Sequence, residues 1–360
     1  MSFQSIKENQ MLQKESTVEY MIKNLKTQEI NTWFDLGLFI DKIRTSPPKA
    51  EFLGDTDSFT KHIQHGGIGL LSFYYTIDGI TVEANKYNRV LKNIFPDTKT
   101  HYIAGEIKPE ASSLIDSPFQ KEIKEMDGFD NWSLYKDFFH NKLDRGSENY
   151  NELITKFWNE TLLITEKLGQ YIEDNNINLL YTINVCSNPG NVSLTLAVIL
   201  ITEYLGIPVI NNNHDFYWEG GSSEIDIKKN GHKKGPRDFF FTNSHVGEFF
   251  SIIEMLFPWE RKTWMTVNIN QIQYEHTLQK NGHNPANIAK IGTAIDIKSH
   301  QSVSKRSIIS AFKQVASIFS NEKNSVIVHE ASKNITNNKS NSPILLGHKR
   351  INDLDFVSNN

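Results

Sequence analysis

Cysteine is almost absent from this sequence: Cys186 is the single one in 360 residues. That excludes a disulfide framework and any zinc site built from several thiolates, and it suits a reducing compartment. Charge of one sign is not in excess either. Lys and Arg number 38 against 42 Asp and Glu, a formal net charge of -4. A chain without a basic field is not expected to bind nucleic acid or an anionic membrane. No run of 18 apolar residues occurs, so no transmembrane segment is expected. The opening MSFQSIKENQ lacks the apolar stretch of a secretory signal. A P-loop, a G-x-S-x-G elbow and a Cys–His nucleophile pair are also missing. These absences point to a cytoplasmic protein. Hydrophobic residues make up 38% and charged residues 22%, enough for a packed core. The length admits two domains of roughly 150 residues each.

The pattern divides the chain into three parts. Residues 1–60 read as a helical extension, with Thr17 to Ile43 expected as one helix closed by Ser46-Pro47-Pro48. From residue 61 to 298, apolar runs of strand length alternate with amphipathic stretches, which favours a parallel sheet flanked by helices. Expected strands are Ile68–Tyr75, His101–Ala104, Asn178–Val185, Ile207–Asn212, Asp238–Thr242, Met265–Ile269 and Ile288–Gly292. Expected helices are Val82–Ile94 with Thr81 as its cap, Asn149–Asp174, Val192–Leu205, Val246–Phe257 and Gln271–Asn281. Residues 299–360 read as a linker and tail, rich in Asn, Ser and Lys, with too little apolar content for a core.

In an open parallel sheet, ligands bind beyond the carboxyl ends of the strands, near helix N-termini. Three loops lie there. In the first, Asp78-Gly79 is either a capping turn or a place where the backbone approaches a ligand. In the second, Asn188 and Asn191 bracket Gly190, and Asn191 is either a ligand-binding amide or the N-cap of the next helix. The third is the richest: Asn213, His214, Asp215, Tyr217, Trp218 and Glu219 follow an apolar strand directly. Packing alone does not call for this mixture. Sugar sites do, because aromatic faces cover C–H surfaces while amides and carboxylates bind hydroxyls. His214 is the catalytic candidate, as a donor to a sugar hydroxyl or to a developing charge; a buried structural histidine is the alternative. Glu106, which follows the strand ending at Ala104, joins the binding candidates. No metal site is expected: His62-x-x-His65 has no third ligand beside it, and Asp55-x-Asp57 and Asp353-x-Asp355 end no apolar strand. The cluster from Lys228 to Arg237 reads as solvated surface, with phosphate recognition as the lesser alternative.

The series IPVINNNHDFYWEGG, RDFFFTNS, NINQIQYEHTLQKNG and IAKIGTAID, in that order, resembles the N-terminal half of the retaining GT-B glycosyltransferases. The likeness is to the family-four type, which includes sucrose-phosphate synthases and trehalose synthases, and it covers about residues 65–298. It implies a Rossmann-like, acceptor-side domain of an enzyme that transfers a hexose from a nucleotide sugar to a small or sugar acceptor, sugar phosphates included. It also implies no metal and no separate cofactor, with His214 near the transferred sugar and Gly79 near donor phosphates or acceptor. A second Rossmann-like domain holds the donor in such enzymes, and residues 297–360 are too few for one. Glu322 and Glu330 match the spacing of the family's donor motif, but the segment between them lacks its glycines and is read as coincidental. The expectation is therefore a half-enzyme, completed by further residues or a second chain. A non-catalytic module for carbohydrates or phosphosugars is the rival reading.

Overall fold

The computed structural model describes residues 16–47, 56–139, 141, 143–218 and 246–293. Residues 1–291 form one compact unit, and residues 292–360 separate as a second, of which only Gly292 and Thr293 are described. The expected strand at Asp238–Thr242 and the whole tail lie outside the described residues.

Two helices open the described chain, α1 (Thr17–Lys26) and α2 (Trp33–Thr45), where one had been expected. The break has a local cause. Thr32 and Asp35 form a capping box, in which Thr32 Oγ1 accepts from the Asp35 amide at 3.1 Å and the Asp35 carboxylate accepts from the Thr32 amide at 2.9 Å. Such a box starts a new helix rather than continuing an old one. Both helices bury apolar faces, Val18, Met21, Ile22 and Leu25 on α1 and Trp33, Leu36, Phe39 and Ile40 on α2, in the main core.

After α3 (Thr56–Gln64) come β1 (Gly67–Leu71) and β2 (Tyr74–Tyr75). The apolar run expected as one strand bends at Ser72-Phe73, where the Phe73 ring turns to meet Phe129 edge-on at 5.3 Å between centroids. Helix α4 (Gly79–Ile94) starts three residues before the expected Val82. Its cap is Asp78, whose Oδ1 accepts from the Thr81 amide at 2.8 Å, while Thr81 Oγ1 accepts from the Thr76 amide at 3.0 Å. Next are β3 (Lys99–Ala104), β4 (Glu106–Ile107), β5 (Gln120–Glu122), the short α5 (Tyr135–Phe139) and the long α6 (Glu148–Asp174). Then follow β6 (Ile177–Ile183), α7 (Val192–Leu205) and β7 (Val209–Asn213). Finally come α8 (Val246–Leu256), β8 (Trp264–Asn268), α9 (Gln271–Gln279) and β9 (Ile288–Lys290). Helix α7 is apolar all round and almost wholly buried, as a helix deep in a core must be. It ends at Gly206, whose φ of 71° is the left-handed conformation of a helix stop.

Seven strands form one parallel sheet in the order β5-β3-β1-β6-β7-β8-β9, and β2 pairs with β4 in a separate two-stranded piece. One face packs Leu71, Ile103, Leu180, Val209 and Trp264 against α1, α2, α6, α7 and α8. The other packs Ile68, Leu70, Tyr102, Leu179 and Tyr181 against α3 and α4. This is an α/β, Rossmann-like fold. From β1 the chain builds outward through β3 to β5, then returns and builds the other way from β6. Between β1 and β6 the connections leave in opposite directions, and a crevice opens beyond the carboxyl ends of those two strands.

Candidate functional site

That crevice is a pocket of about 110 Å³ lined by Phe73, Tyr74, Asp78, Ile80, Phe129, Asn184, Asn188 and Asp215. Phe73 and Tyr74 come from the bend after β1, Asp78 and Ile80 from the start of α4, Asn184 and Asn188 from the loop after β6, and Asp215 from the loop after β7. Phe129 arrives from the excursion between β5 and α5. It is held there by a hydrogen bond from its amide to the Gly190 carbonyl at 2.8 Å, with a φ of 56°. The pocket thus has aromatic walls and a polar rim of two carboxylates and two amides.

Asn184 organises the rim. Its φ of 63° is the left-handed conformation that asparagine tolerates better than most residues. Its Oδ1 accepts from the amides of His214 at 2.7 Å and Asp215 at 2.9 Å, and its Nδ2 donates to Asp215 Oδ2 at 3.1 Å. Its own amide donates to the Asn212 carbonyl at 3.0 Å. One side chain therefore ties the end of β6 to the turn that follows β7. From the other side, Gln273 of α9 donates to the His214 carbonyl at 2.9 Å.

His214 lies next to the pocket rather than in its wall. Its Nε2 lies 3.2 Å from Asn212 Nδ2. With the amide donating, the imidazole is neutral and carries its proton on Nδ1. Burial holds its pKa below the ordinary value; Glu83 and Asp215 oppose that shift and Lys86 adds to it. Glu83 and Lys86 pair with each other on α4.

Of the residues expected at a site, Asp78, Asn188 and Asp215 converge on the pocket. Gly79 adjoins it, and a Cβ added there would meet nothing within 4 Å, so the fold does not require glycine at that position. The others are engaged elsewhere. Asn191 caps α7: its Oδ1 accepts from the Leu194 amide at 2.9 Å, and its Nδ2 donates to the carbonyls of Glu125 and Asp127 at 3.0 and 2.8 Å. It is fully buried and its amide is occupied, so the capping alternative holds. Asn213 lies inside the sheet, 3.5 Å from Asn268. The Tyr217 ring sits in the main core with its hydroxyl on Glu254. Trp218 stacks on His276, with ring centroids 4.1 Å apart. Glu106 is exposed on β4, 3.9 Å from Lys108, and does not line the pocket. Glu219 and the Lys228–Arg237 cluster lie outside the described residues. Sequence reasoning missed Phe73, Tyr74, Phe129 and Asn184. The signal for Asn184 was present, an amide directly after an apolar strand; for Phe129 there was none. Among the described residues, no three His, Cys, Asp or Glu side chains are grouped so as to hold a metal ion. No described helix is long and apolar enough to cross a membrane.

No family model matches the sequence. Over 208 residues, 57% of this chain, it is 28% identical to mannosylglucosylglycerate synthase of Petrotoga mobilis, and the match takes in 40% of that protein. The chain therefore spans less than half the length of this curated relative. Among solved structures, it is similar to a glycosyltransferase from Rickettsia africae (TM-score 0.35, 11% identity, 72% of this chain and 51% of that one). It is also similar to CalG4, the calicheamicin glycosyltransferase (TM-score 0.31, 13% identity, 64% and 52%). The glycotransferase of kitacinnamycin aligns with a TM-score of 0.32 at 10% identity, over 69% and 63% of the two chains.

Proposed function

From the homology to a glycosyltransferase, we propose that this chain is the acceptor-side half of an enzyme that moves a hexosyl group from a nucleotide sugar to a small polyhydroxylated acceptor. Residues 61–298 form that half. The donor-binding half comes from further residues or from a second chain. The observation that carries the reading is the pocket at the β1/β6 switch point, where two carboxylates, two amides and aromatic rings come together in a fold whose ligands bind at that place. Carboxylates accept hydrogen bonds from hydroxyls, and the rings of Phe73, Tyr74 and Phe129 cover the C–H faces of a sugar. The acceptor hydroxyl forms the new glycosidic bond as the bond to the nucleoside diphosphate breaks, and the hydroxyl proton passes to the departing diphosphate. Neutral His214, clamped by Asn184 and Gln273, donates a hydrogen bond to the transferred sugar. By the family resemblance, the anomeric configuration is retained.

The test is transfer of a radiolabelled sugar from UDP-, GDP- and ADP-sugars to a panel of acceptors, with and without a donor-binding polypeptide. Transfer that needs the second polypeptide and falls at least about tenfold in His214→Ala supports the reading. Full turnover by this chain alone refutes the half-enzyme assignment. Failure to bind any sugar or transfer from any donor refutes the function.

A further inference from the structure

We propose that Phe129 is a specificity-determining residue of the β1/β6 pocket, a ring held there in a strained backbone conformation, and that the acceptor seated on it is a closed pyranose ring rather than an open-chain polyol. The inference rests on the transferase reading and adds a substrate class to it. Three observations carry it.

First, the backbone of Phe129 is strained. Its φ of 56° lies in the left-handed region, where a bulky aromatic residue is an outlier. Glycine or asparagine would adopt that conformation more easily, and strain of this kind persists only where the surroundings enforce it. Here the Phe129 amide is anchored on the Gly190 carbonyl at 2.8 Å, in a loop remote from it in sequence. Strained residues of this kind cluster at ligand sites, and this one lines the pocket. Second, the seat of the ring is built from glycines. A Cβ on Gly190 would meet Phe129 Cζ at 3.0 Å and Phe73 Cε2 at 3.1 Å, and one on Gly128 would meet the Phe73 ring at 2.7 Å. Two loops therefore carry no side chain where this pair of rings sits. The rings themselves meet edge to face, with centroids 5.3 Å apart.

Third, the ring is presented rather than sealed. Phe73 is 3% exposed and belongs to the main core, whereas Phe129 is only partly buried where it lines the pocket. A ring placed for packing alone gains most by full burial, as Phe73 does. The chemistry of an aromatic wall then sets the class of ligand. Such a wall binds by covering several C–H groups at once. A pyranose offers them on one rigid face. An open-chain polyol with the same hydroxyl pattern must freeze its carbon–carbon rotors to do so, and each frozen rotor costs affinity. The amides and carboxylates of the rim bind hydroxyls of either compound, so the ring is what separates the two.

The experiment is calorimetry and ligand-observed proton NMR on the full chain. Methyl glucoside, methyl galactoside and methyl mannoside are compared with sorbitol, galactitol and mannitol, for the native protein and for Phe129→Leu. Leucine keeps apolar bulk and removes the flat face, and circular dichroism checks the fold of the variant. In the native protein at least one pyranoside is expected to bind about tenfold or more tightly than its alditol. Its C–H protons should move upfield on binding, as protons above an aromatic face do. In Phe129→Leu the affinity for that pyranoside should fall about three- to tenfold, the scale of one aromatic contact, and the upfield shift should disappear. Affinity for the alditol should change little. A purely packing role for Phe129 would leave the ligand's proton shifts unmoved. Equal binding of pyranosides and alditols by the native protein, a bound pyranoside without an upfield shift, or no binding of any pyranoside overturns the inference, whether or not the variant folds. So does an unchanged ratio or a surviving shift in a folded variant. The two readings fail separately. Transfer by the completed enzyme to an open-chain polyol as readily as to a pyranoside overturns ring selection and leaves the transferase reading standing. Ring-selective binding without transfer from any donor does the reverse.

Discussion

Replacing Asn184 by alanine removes three hydrogen bonds at once: those to the amides of His214 and Asp215, and the one to the Asp215 carboxylate. Asn184 is 7% exposed, so water does not easily take its place. A buried donor left unpaired costs about 1–3 kcal/mol. His214 and Asp215 are themselves partly buried, which favours the lower part of that range for each. Two orphaned amides then cost about 2–4 kcal/mol. The backbone contributes a second, separable amount. At a φ of 63° a residue with a Cβ is strained by about 1–2 kcal/mol, less for asparagine than for alanine. Glycine relieves that strain but restores no hydrogen bond. The expected order of stability is therefore native, then Asn184→Gly, then Asn184→Ala, with the two variants about 1 kcal/mol apart. Asn184→Asp keeps an oxygen that can accept from the His214 and Asp215 amides but replaces the Nδ2 donor to Asp215 by a second carboxylate oxygen. It is expected to match the native protein near pH 4 and fall behind at pH 7, because two adjacent carboxylates share a proton more readily than they share charge. Urea unfolding followed by tryptophan fluorescence measures all four proteins, with equal m-values showing that the denatured states are comparable. An alanine variant within about 0.5 kcal/mol of the native protein would refute the assignment of Asn184 as organiser, since unimportant surface changes fall in that range. A glycine variant no more stable than alanine would refute the backbone part.

Three further outcomes are expected. Burial, the first cause in each case, holds His101, His214, His276 and His283 below the ordinary value of 6.5. The unfolded chain then binds more protons than the folded one below that value, so stability is full above about pH 6.5 and is lost as the pH falls through the window beneath it. Melting temperatures at pH 7.5, 6.5 and 5.5 check this, and a flat profile contradicts it. Gly79→Ala should stabilise the fold by about 0.4–1 kcal/mol, because the new methyl meets nothing within 4 Å and the unfolded chain loses freedom. The same variant should weaken sugar binding in the neighbouring pocket, and unaltered affinity would show that Gly79 does not face the ligand. Cys186 is free and fully buried, and burial raises its thiol pKa well above the ordinary value. It should resist a disulfide-exchange reagent in the native protein and react completely in denaturant, and rapid native labelling would contradict its burial.

The fold was largely legible because its punctuation is local. Helix α7 begins and ends where expected, at Asn191 and Gly206, since an asparagine cap and a left-handed glycine are written into adjacent residues. The strands β3, β6, β7 and β8 lie within about two residues of their expected limits, because each is an apolar run bounded by polar or turn residues. The misplaced boundaries had the same kind of cue. Thr32 and Asp35 mark a helix start that the apolar spacing ran across, and Asp78 caps α4 ahead of Thr81. Among the candidate residues, the string after β7 was the hardest to resolve. Both faces of a parallel sheet are covered, so polar residues do not alternate with apolar ones in a way that reveals which side faces a ligand. Asn213 and Tyr217 look like ligand residues in the sequence, and the fold turns them into the sheet and the core.

By itself, then, the amino-acid sequence determined the class of fold, the parallel alternation of its elements and the loops at which a ligand could sit, because hydrophobic period and capping chemistry act between near neighbours in the chain. Only the tertiary structure decided which side chains form the pocket. Phe73, Phe129, Asn184 and Asp215 are scattered from the bend after β1 to the turn after β7. They meet because the sheet reverses its direction of growth between β1 and β6, and because a left-handed asparagine holds the His214 turn against the end of its neighbouring strand. Those are contacts between residues far apart in sequence, and no local pattern encodes them.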